Sequence, residues 1–271
     1  MRRLRIIFYW LFKSHNNVSL IELIRFTIKP KVKAVASRFI KDISLAKSLY
    51  KINFNVIEYP LYWPKEYSID GIYQVTSETF DNDDWHYYQK KNTIIEHNEI
   101  LLDVGAAEGL FALSVADKCN QIIMIEPNDH FAKALKTTFQ PFDKKTTIYN
   151  VAVGSAEGTI AFNQTSLSGK VDLSDNESVQ KSITTVDKII GDTPITYLKA
   201  DIEGHELEML KGAIGTIKKN KPKIVITCYH RENIASEIID FIKSIVPEYN
   251  HYVKGVFHEE GKPVMIHFWK S

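Results

Sequence analysis

The chain has little to crosslink it: two cysteines, Cys119 and Cys228, stand in 271 residues. Each borders an apolar run, so a disulfide framework is excluded, and a reducing compartment with structural cysteines is expected. No stretch approaches the ~18 consecutive apolar residues that would span a bilayer. The opening Met1-Arg2-Arg3-Leu4-Arg5, followed by Ile6 to Phe12, resembles a signal peptide only in outline. Its apolar run is short, stops at Lys13, carries bulky aromatics and lacks a small-residue cleavage site. A cytoplasmic protein is therefore expected, at most peripheral to the inner membrane face. Zinc-signature spacing, internal repeats and long low-complexity segments are absent. Net charge is nearly absent too, at +1.

That small net charge hides a polarised chain. From Met1 to Lys51 there are 12 Lys/Arg and two acids, Glu22 and Asp42, whereas the remainder holds 22 basic and 31 acidic residues. A basic head of this kind suits membrane phospholipid, an anionic glycan or nucleic acid, or is simply a solvated helical face. The acidic body disfavours nucleic acid.

Hydrophobic residues at 44% and charged residues at 25% are ordinary for a chain able to bury a core. Residues 1 to about 50 read as helices, with apolar residues recurring as in Leu20, Leu23, Ile24 and Ile28. Residues 52–75, rich in Tyr, Pro and Trp, read as a linker, and Asp81 to His97 as a polar helix bearing aromatics. This divides the chain into a basic extension over residues 1–75 and a main domain over residues 76–271. In that domain strands and helices alternate. Strands are predicted at Ile100–Val104, Gln121–Ile125, Thr147–Val153, Ile195–Ala200 and Lys223–Cys228. Helices are predicted at Leu110–Lys118, His130–Phe139, Glu206–Ile217 and Asn233–Ile245, with a short one at Thr185–Ile190. Asn163–Ser182 reads as a polar loop, and Tyr249–Phe257 with Val264–Trp269 as a closing hairpin. Continuous apolar strands separated by helices indicate an α/β fold with a parallel sheet covered on both faces.

The first strand runs into Asp103-Val104-Gly105-Ala106-Ala107-Glu108-Gly109. Small residues here let the backbone turn tightly and approach a ligand. The second strand ends at Glu126, where a βαβ unit places an acid against a ribose diol. A dinucleotide pyrophosphate would meet two carboxylates, Asp103 and Glu108. S-adenosylmethionine, a sulfonium with an ammonium and a carboxylate, tolerates them. A dehydrogenase and a tight turn with no nucleoside are the alternatives.

The fourth strand leads into Asp201-Ile202-Glu203-Gly204-His205-Glu206, then Leu210 to Ala213. Paired with the glycine loop, this segment resembles FkbM-type methyltransferases, which combine a D-x-G-A-x-x-G loop with a D-x-E-G-x-E segment and a helix ending L-x-G-A. The resemblance covers roughly residues 97–232. Related loops commonly carry Asn where this chain has Ala107. The resemblance implies a Rossmann-like class I fold with a mostly parallel seven-stranded sheet, and it does not extend to the C-terminal hairpin, which on the strand pattern adds an antiparallel strand. It also implies methyl transfer to a hydroxyl, often on a sugar or natural product.

The candidate cofactor residues are Asp103, Gly105, Ala106, Gly109, Glu126, Pro127, Ala152, Asp201 and Glu203, with S-adenosylmethionine as cofactor. Helix capping is the plain alternative for Glu203 and Glu206. An alcohol needs a positioned base. His230, after the fifth strand, and His205, after the fourth, are candidates because histidine titrates near pH 6.5. Asp201 completes the candidate catalytic set. Asp201, Glu203 and His230 could hold magnesium or manganese, but no metal is predicted. The expected acceptor is a carbohydrate or glycoconjugate, such as a cell-surface polysaccharide. A small secondary metabolite, a lipid, or a non-catalytic nucleoside-binding module are the rival readings.

Overall fold

The basic first third folds as short helices followed by a small sheet. The computed structural model describes residues 2–90, 92–164 and 178–271. Helices α1 (Arg2–Phe12), α2 (Leu20–Ile28) and α3 (Val32–Ala36) come first. A capping box starts α2: Ser19 accepts the Glu22 N–H and Glu22 accepts the Ser19 N–H. Beyond Ala36 the predicted helix gives way to strands β1 (Ile40–Ala46), β2 (Leu49–Phe54) and β3 (Leu61–Pro64), paired antiparallel in that order. Tyr50, Ile52 and Phe54 alternate, and that period of two places Ile52 and Phe54 in the core. Lys47, with φ of +57°, turns the chain between β1 and β2.

Helix α4 (Ile69–Phe80) starts at a Ser68 cap and occupies part of the expected linker. The helix predicted from Asp81 to His97 does not form. Asp81 and Asp84 instead accept the N–H groups of Asp83 and His86, two residues on. Such local side-chain bonds compete with helical ones. Trp85 and Tyr88 are buried all the same, by tertiary packing.

The main sheet follows the predicted alternation, except that the strand expected over Thr147–Val153 divides into Thr146–Tyr149 and Ala152–Val153 in different sheets, and the helix expected over Glu206–Ile217 breaks at Gly212 and Ala213. Its elements are β4 (Glu99–Val104), α5 (Leu110–Ser114), β5 (Cys119–Ile125), α6 (Asp129–Thr138) and β6 (Thr146–Tyr149). A side sheet contributes β7 (Ala152–Val153), β8 (Gly158–Asn163) and β9 (Ser178–Thr184), in the order β7-β9-β8. The loop expected over residues 163–182 is therefore strand at both ends, and its 165–177 portion lies outside the described residues. Then come α7 (Val186–Ile190), β10 (Tyr197–Ala200), α8 (Glu206–Lys211), α9 (Ile214–Asn220), β11 (Lys223–Thr227), α10 (Ile234–Ile245), β12 (Asn250–Lys254) and β13 (Met265–Trp269).

Seven strands lie in the order β12-β13-β11-β10-β4-β5-β6, and β13 runs antiparallel to both its neighbours. Alternate residues of the central strands feed two apolar clusters. Leu101, Ile122, Met124 and Val225 join one, together with Ile6, Leu23, Ile52 and Trp63 from the N-terminal elements. Leu102, Ile123, Ile125 and Ile224 join the other, under α8, α9 and α10. Burial on both faces explains why these strands read as unbroken apolar runs. Both cysteines are buried and unpaired, and among the described residues no helix is long and apolar enough to cross a membrane. The chain passes from β4 to β5 on one side and returns to β10 on the other, a switch point that opens a crevice at the carboxyl ends of these strands.

Candidate functional site

The glycine loop is stitched to both neighbouring strands. Gly105 and Ala106 donate their N–H groups to the Ile125 carbonyl at 2.9 and 3.2 Å. Gly105 has φ of +69°, and a Cβ there would lie 2.0 Å from the Asp201 carbonyl oxygen. The glycine is therefore required by the close approach of β10's end, and not only by a ligand. Gly109, with φ of +81°, opens α5 against Leu135 of α6. Ala107 holds φ of +45°, the left-handed region that Asn tolerates better than Ala. This is the position at which related loops commonly carry Asn. Here the Glu126 carboxylate steadies it by accepting the Ala107 N–H at 2.8 Å.

Glu126 accepts a second backbone N–H, from Asn128 at 2.8 Å, and burial pushes its carboxyl up to about 7. Asp103 lies behind the loop and does not face the crevice. It is fully buried and pairs with Lys199 across the β4–β10 register at 3.0 Å. Burial alone would discharge Lys199, but Asp103 and Asp201 outweigh it and hold the ammonium above its usual range. Lys199 in turn donates to the Gly105 carbonyl at 2.7 Å and sits 5.3 Å over the Tyr88 ring. Lys199, one residue short of the end of β10, carries no local signal for this role, because its partner Asp103 lies on the neighbouring strand.

At the end of β10 the acidic residues converge with the segment after β11. Asp201 accepts from the Tyr88 hydroxyl at 2.8 Å and from the Thr227 hydroxyl at 2.9 Å. Glu203 adopts φ of +56°, followed by Gly204 at +102°. Backbone strain of this kind persists only where surrounding contacts enforce it. His230 Nε2 lies 3.3 Å from Glu203 and 3.8 Å from Asp201, while Nδ1 lies 3.1 Å from Glu206. The same Glu206 oxygen accepts the Gly204 N–H at 3.1 Å. Glu206 thus does not cap its helix, which has no side-chain cap, but ties down the turn before it and orients His230. Burial pulls the His230 imidazole down, but the Glu206 hydrogen bond and the Asp201, Glu206 and Glu203 charges hold it above its usual range. That differs from an unperturbed histidine near pH 6.5. Ligand atoms of Asp201, Glu203 and His230 lie within 4.8 Å of one another, a spacing a divalent cation could use.

A cavity of about 310 Å³ joins these groups. Gly105, Ala106, Glu126, Pro127, Ala152, Asp201, Glu203 and His205 all line it, with Glu108 beside them. Burial pushes the Glu108 carboxyl up to about 7. Asp103 and Gly109 support the wall from behind, and His230 sits behind Tyr229, Glu203 and Asp201. A second cavity, of about 550 Å³, shares Gln74 and Glu78 of α4 with the first. Glu78 is pushed up to about 7 by burial, and it faces His86, which nearby Glu78 and Asp84 hold at about 9 against the pull of burial. Tyr88 belongs to the aromatics between Trp63 and Tyr88 that the sequence offers for stacking on sugar faces or for the core, whereas nothing local marks Glu78, His86 or Tyr229, which tertiary packing brings together.

Comparison with known proteins gives a consistent result. The model of the methyltransferase FkbM domain matches residues 103–252. No curated protein matches the chain. Among solved structures, methyltransferase FkbM from Methylobacillus flagellatus KT aligns over 91% of this chain at 18% identity, with a TM-score of 0.54, which shows a shared fold. This chain spans 59% of that structure's length. SMU.1697c from Streptococcus mutans, in complex with SAH, aligns over 65% of this chain and 91% of its own at 9% identity, with a TM-score of 0.42. Trm5b from Pyrococcus abyssi aligns over 84% of this chain and 62% of its own at 11% identity, with a TM-score of 0.43.

Proposed function

The chain belongs to the FkbM methyltransferase family, and from that premise we propose that it moves the methyl group of S-adenosylmethionine onto a hydroxyl of a carbohydrate or glycoconjugate. One observation carries the reading: a single cavity is lined by a buried carboxylate, Glu126, at the end of β5 and by the Asp201 and Glu203 carboxylates after β10, with the His230 imidazole directly behind them. Its volume suits a nucleoside-sized ligand. Glu126 keeps acceptor capacity beyond its two backbone bonds, as a ribose diol requires. S-adenosylmethionine supplies an electrophilic methyl on a sulfonium and leaves as a neutral thioether.

The protein's own task is alignment and proton removal. The acceptor occupies the second cavity, with its reacting hydroxyl reaching past Gln74 and Glu78. As the oxygen–carbon bond forms, the hydroxyl proton passes by way of the cavity-lining Glu203 and Asp201 carboxylates to neutral His230 behind them, and the same carboxylates stabilise the resulting imidazolium. Glu206 fixes the ring through Nδ1, which leaves Nε2 as the working nitrogen.

Calorimetric titration tests the cofactor end of the cavity. Glu126→Gln keeps one acceptor oxygen for the loop but removes the charge. It should weaken S-adenosylmethionine binding by about 1.5–3 kcal/mol, the worth of a hydrogen bond to a charged group. The protein should still melt cooperatively, at a lowered temperature, because the Gln NH2 leaves either the Ala107 or the Asn128 N–H without its acceptor. An unchanged dissociation constant with a cooperative melt would remove Glu126 from the cofactor site, and heat with NAD in place of S-adenosylmethionine would favour the dehydrogenase reading.

A further inference from the structure

Helices α1 and α2 are amphipathic in an unusual sense, because each has two apolar faces. The inward face of α1 buries Ile6 and packs Tyr9 and Trp10 on the core, and that of α2 buries Leu23 and packs Phe26. Outward, α1 exposes Leu4, Phe8, Leu11 and Phe12, spaced four, three and one apart on one stripe. Outward, α2 exposes Leu20, Ile21, Ile24 and Ile28. Phe12 and Ile28 are each 75% exposed. The two helices are not a loose tail. Trp10 Nε1 donates to the Val18 carbonyl at 2.7 Å, and Arg3 donates to the Thr27 carbonyl at 2.7 Å. A helix that is apolar all round is ordinarily covered on both sides, and exposed apolar patches rimmed by polar residues mark interaction surfaces.

Charge indicates what covers this one. Residues 2–36 hold eight Lys/Arg and one acid, Glu22, which is occupied by its capping box. Arg2, Arg5, Lys13, Arg25, Lys31 and Lys33 are exposed among the apolar side chains. A second copy of the chain, docking face to face, would set these cations against their own images. An anionic lipid surface instead takes both components: the acyl boundary accepts the apolar stripe, and the headgroups attract the cations. The acidic remainder of the chain would be repelled from that surface and so turned away from it.

We propose that the α1–α2 pair is an interfacial anchor that docks the protein on an anionic bilayer. Arg2, Lys31, Val32 and Lys33 also line the second cavity. Docking therefore brings the mouth of that cavity to the headgroup region, where a lipid-borne acceptor with an anionic headgroup would enter. That consequence rests on the methyltransferase reading, whereas the docking itself does not.

The test is co-sedimentation of the full chain with vesicles of phosphatidylcholine alone, and with vesicles of two parts phosphatidylcholine to one part phosphatidylglycerol. The wild type should pellet with the mixed vesicles, far less with the neutral ones, and be released by high salt. The Phe8→Glu, Phe12→Glu, Ile28→Glu variant should remain in the supernatant, with a melting curve close to wild type because all three side chains are exposed. An Arg5→Gln, Lys13→Gln variant should bind the mixed vesicles roughly thirtyfold more weakly, at about 1 kcal/mol per cation near such a surface. Wild type left in the supernatant with both vesicle types would overturn the proposal, as would glutamate variants that pellet like wild type. A wild-type dimer in sedimentation velocity, made monomeric by the glutamates, would overturn it in favour of a second copy. Vesicle binding by a chain that transfers no methyl group would uphold the docking and count against the methyltransferase reading alone.

Discussion

His230→Ala should cut the rate of methyl transfer by roughly 10²–10⁴-fold while leaving S-adenosylmethionine affinity close to wild type, the range expected for loss of a general base. The split follows from geometry. His230 contacts Glu203, Asp201 and Glu206 at the β10 end of the cavity, while the Glu126 carboxylate lies at the β5 end. The pH profile carries a second signature. Only the neutral imidazole accepts a proton, and the surrounding carboxylates hold its pKa above the usual range. The single-turnover rate should therefore rise with pH, with a midpoint above the ordinary histidine value of about 6.5. A loss much smaller than about 10²-fold would remove His230 from the base role. Wild-type transfer should persist in EDTA. If EDTA abolished it, Asp201, Glu203 and His230 would be read as a cation site instead.

Gly105→Val should be the most damaging single change in the cofactor loop. The valine Cβ would lie 2.0 Å from the Asp201 carbonyl oxygen and 2.7 Å from Ile202 Cγ2, at a residue whose φ is +69°. A β-branched side chain is strained at that dihedral, and the obstructing atom is backbone, which cannot rotate aside. Overpacking and dihedral strain together should cost about 3–5 kcal/mol. Because the displaced segment carries Asp201 and Glu203, cofactor binding should be lost along with stability. Chemical denaturation and calorimetric titration check the two effects. A valine variant with wild-type stability would contradict the packing described here. One that binds S-adenosylmethionine normally would place the cofactor elsewhere.

How much of this was legible beforehand depended on whether the signal was local. The central strands were legible because burial on both faces makes them unbroken apolar runs, and the loop and the Asp201 segment are contiguous motifs. Most cofactor candidates accordingly line one cavity. Asp103 illustrates where the argument changes. Position in the sequence makes it, with Glu108, an acid facing the ligand, yet Lys199 on the adjacent strand pairs with it behind the wall, and of the two only Glu108 lines the crevice. That pairing depends on strand order, which the fourth strand's own sequence does not state. The N-terminal strands were hidden because the helical periodicity of residues 20–28 was carried forward past Ala36 into a period-two segment. The helix expected from Asp81 was defeated by aspartates that bond their own backbone. Glu78, His86 and Tyr229 reach the site from three separate stretches, so only packing reveals them.

Methyl transfer to oxygen is tested by incubating the purified chain with S-adenosylmethionine carrying a tritiated methyl group. The acceptor panel would hold sugars, nucleotide sugars, cell-surface polysaccharides and lipid-linked glycans, and each product would be treated with alkali. The account predicts label in a carbohydrate-containing acceptor, retained through the alkali because a methyl ether resists it, and strongly reduced in His230→Ala. Label released by alkali as methanol would mean a carboxyl ester and contradict the hydroxyl acceptor. Binding of S-adenosylmethionine with no incorporation anywhere in the panel would contradict the proposed carbohydrate acceptor and favour a small-metabolite acceptor or a nucleoside-binding module.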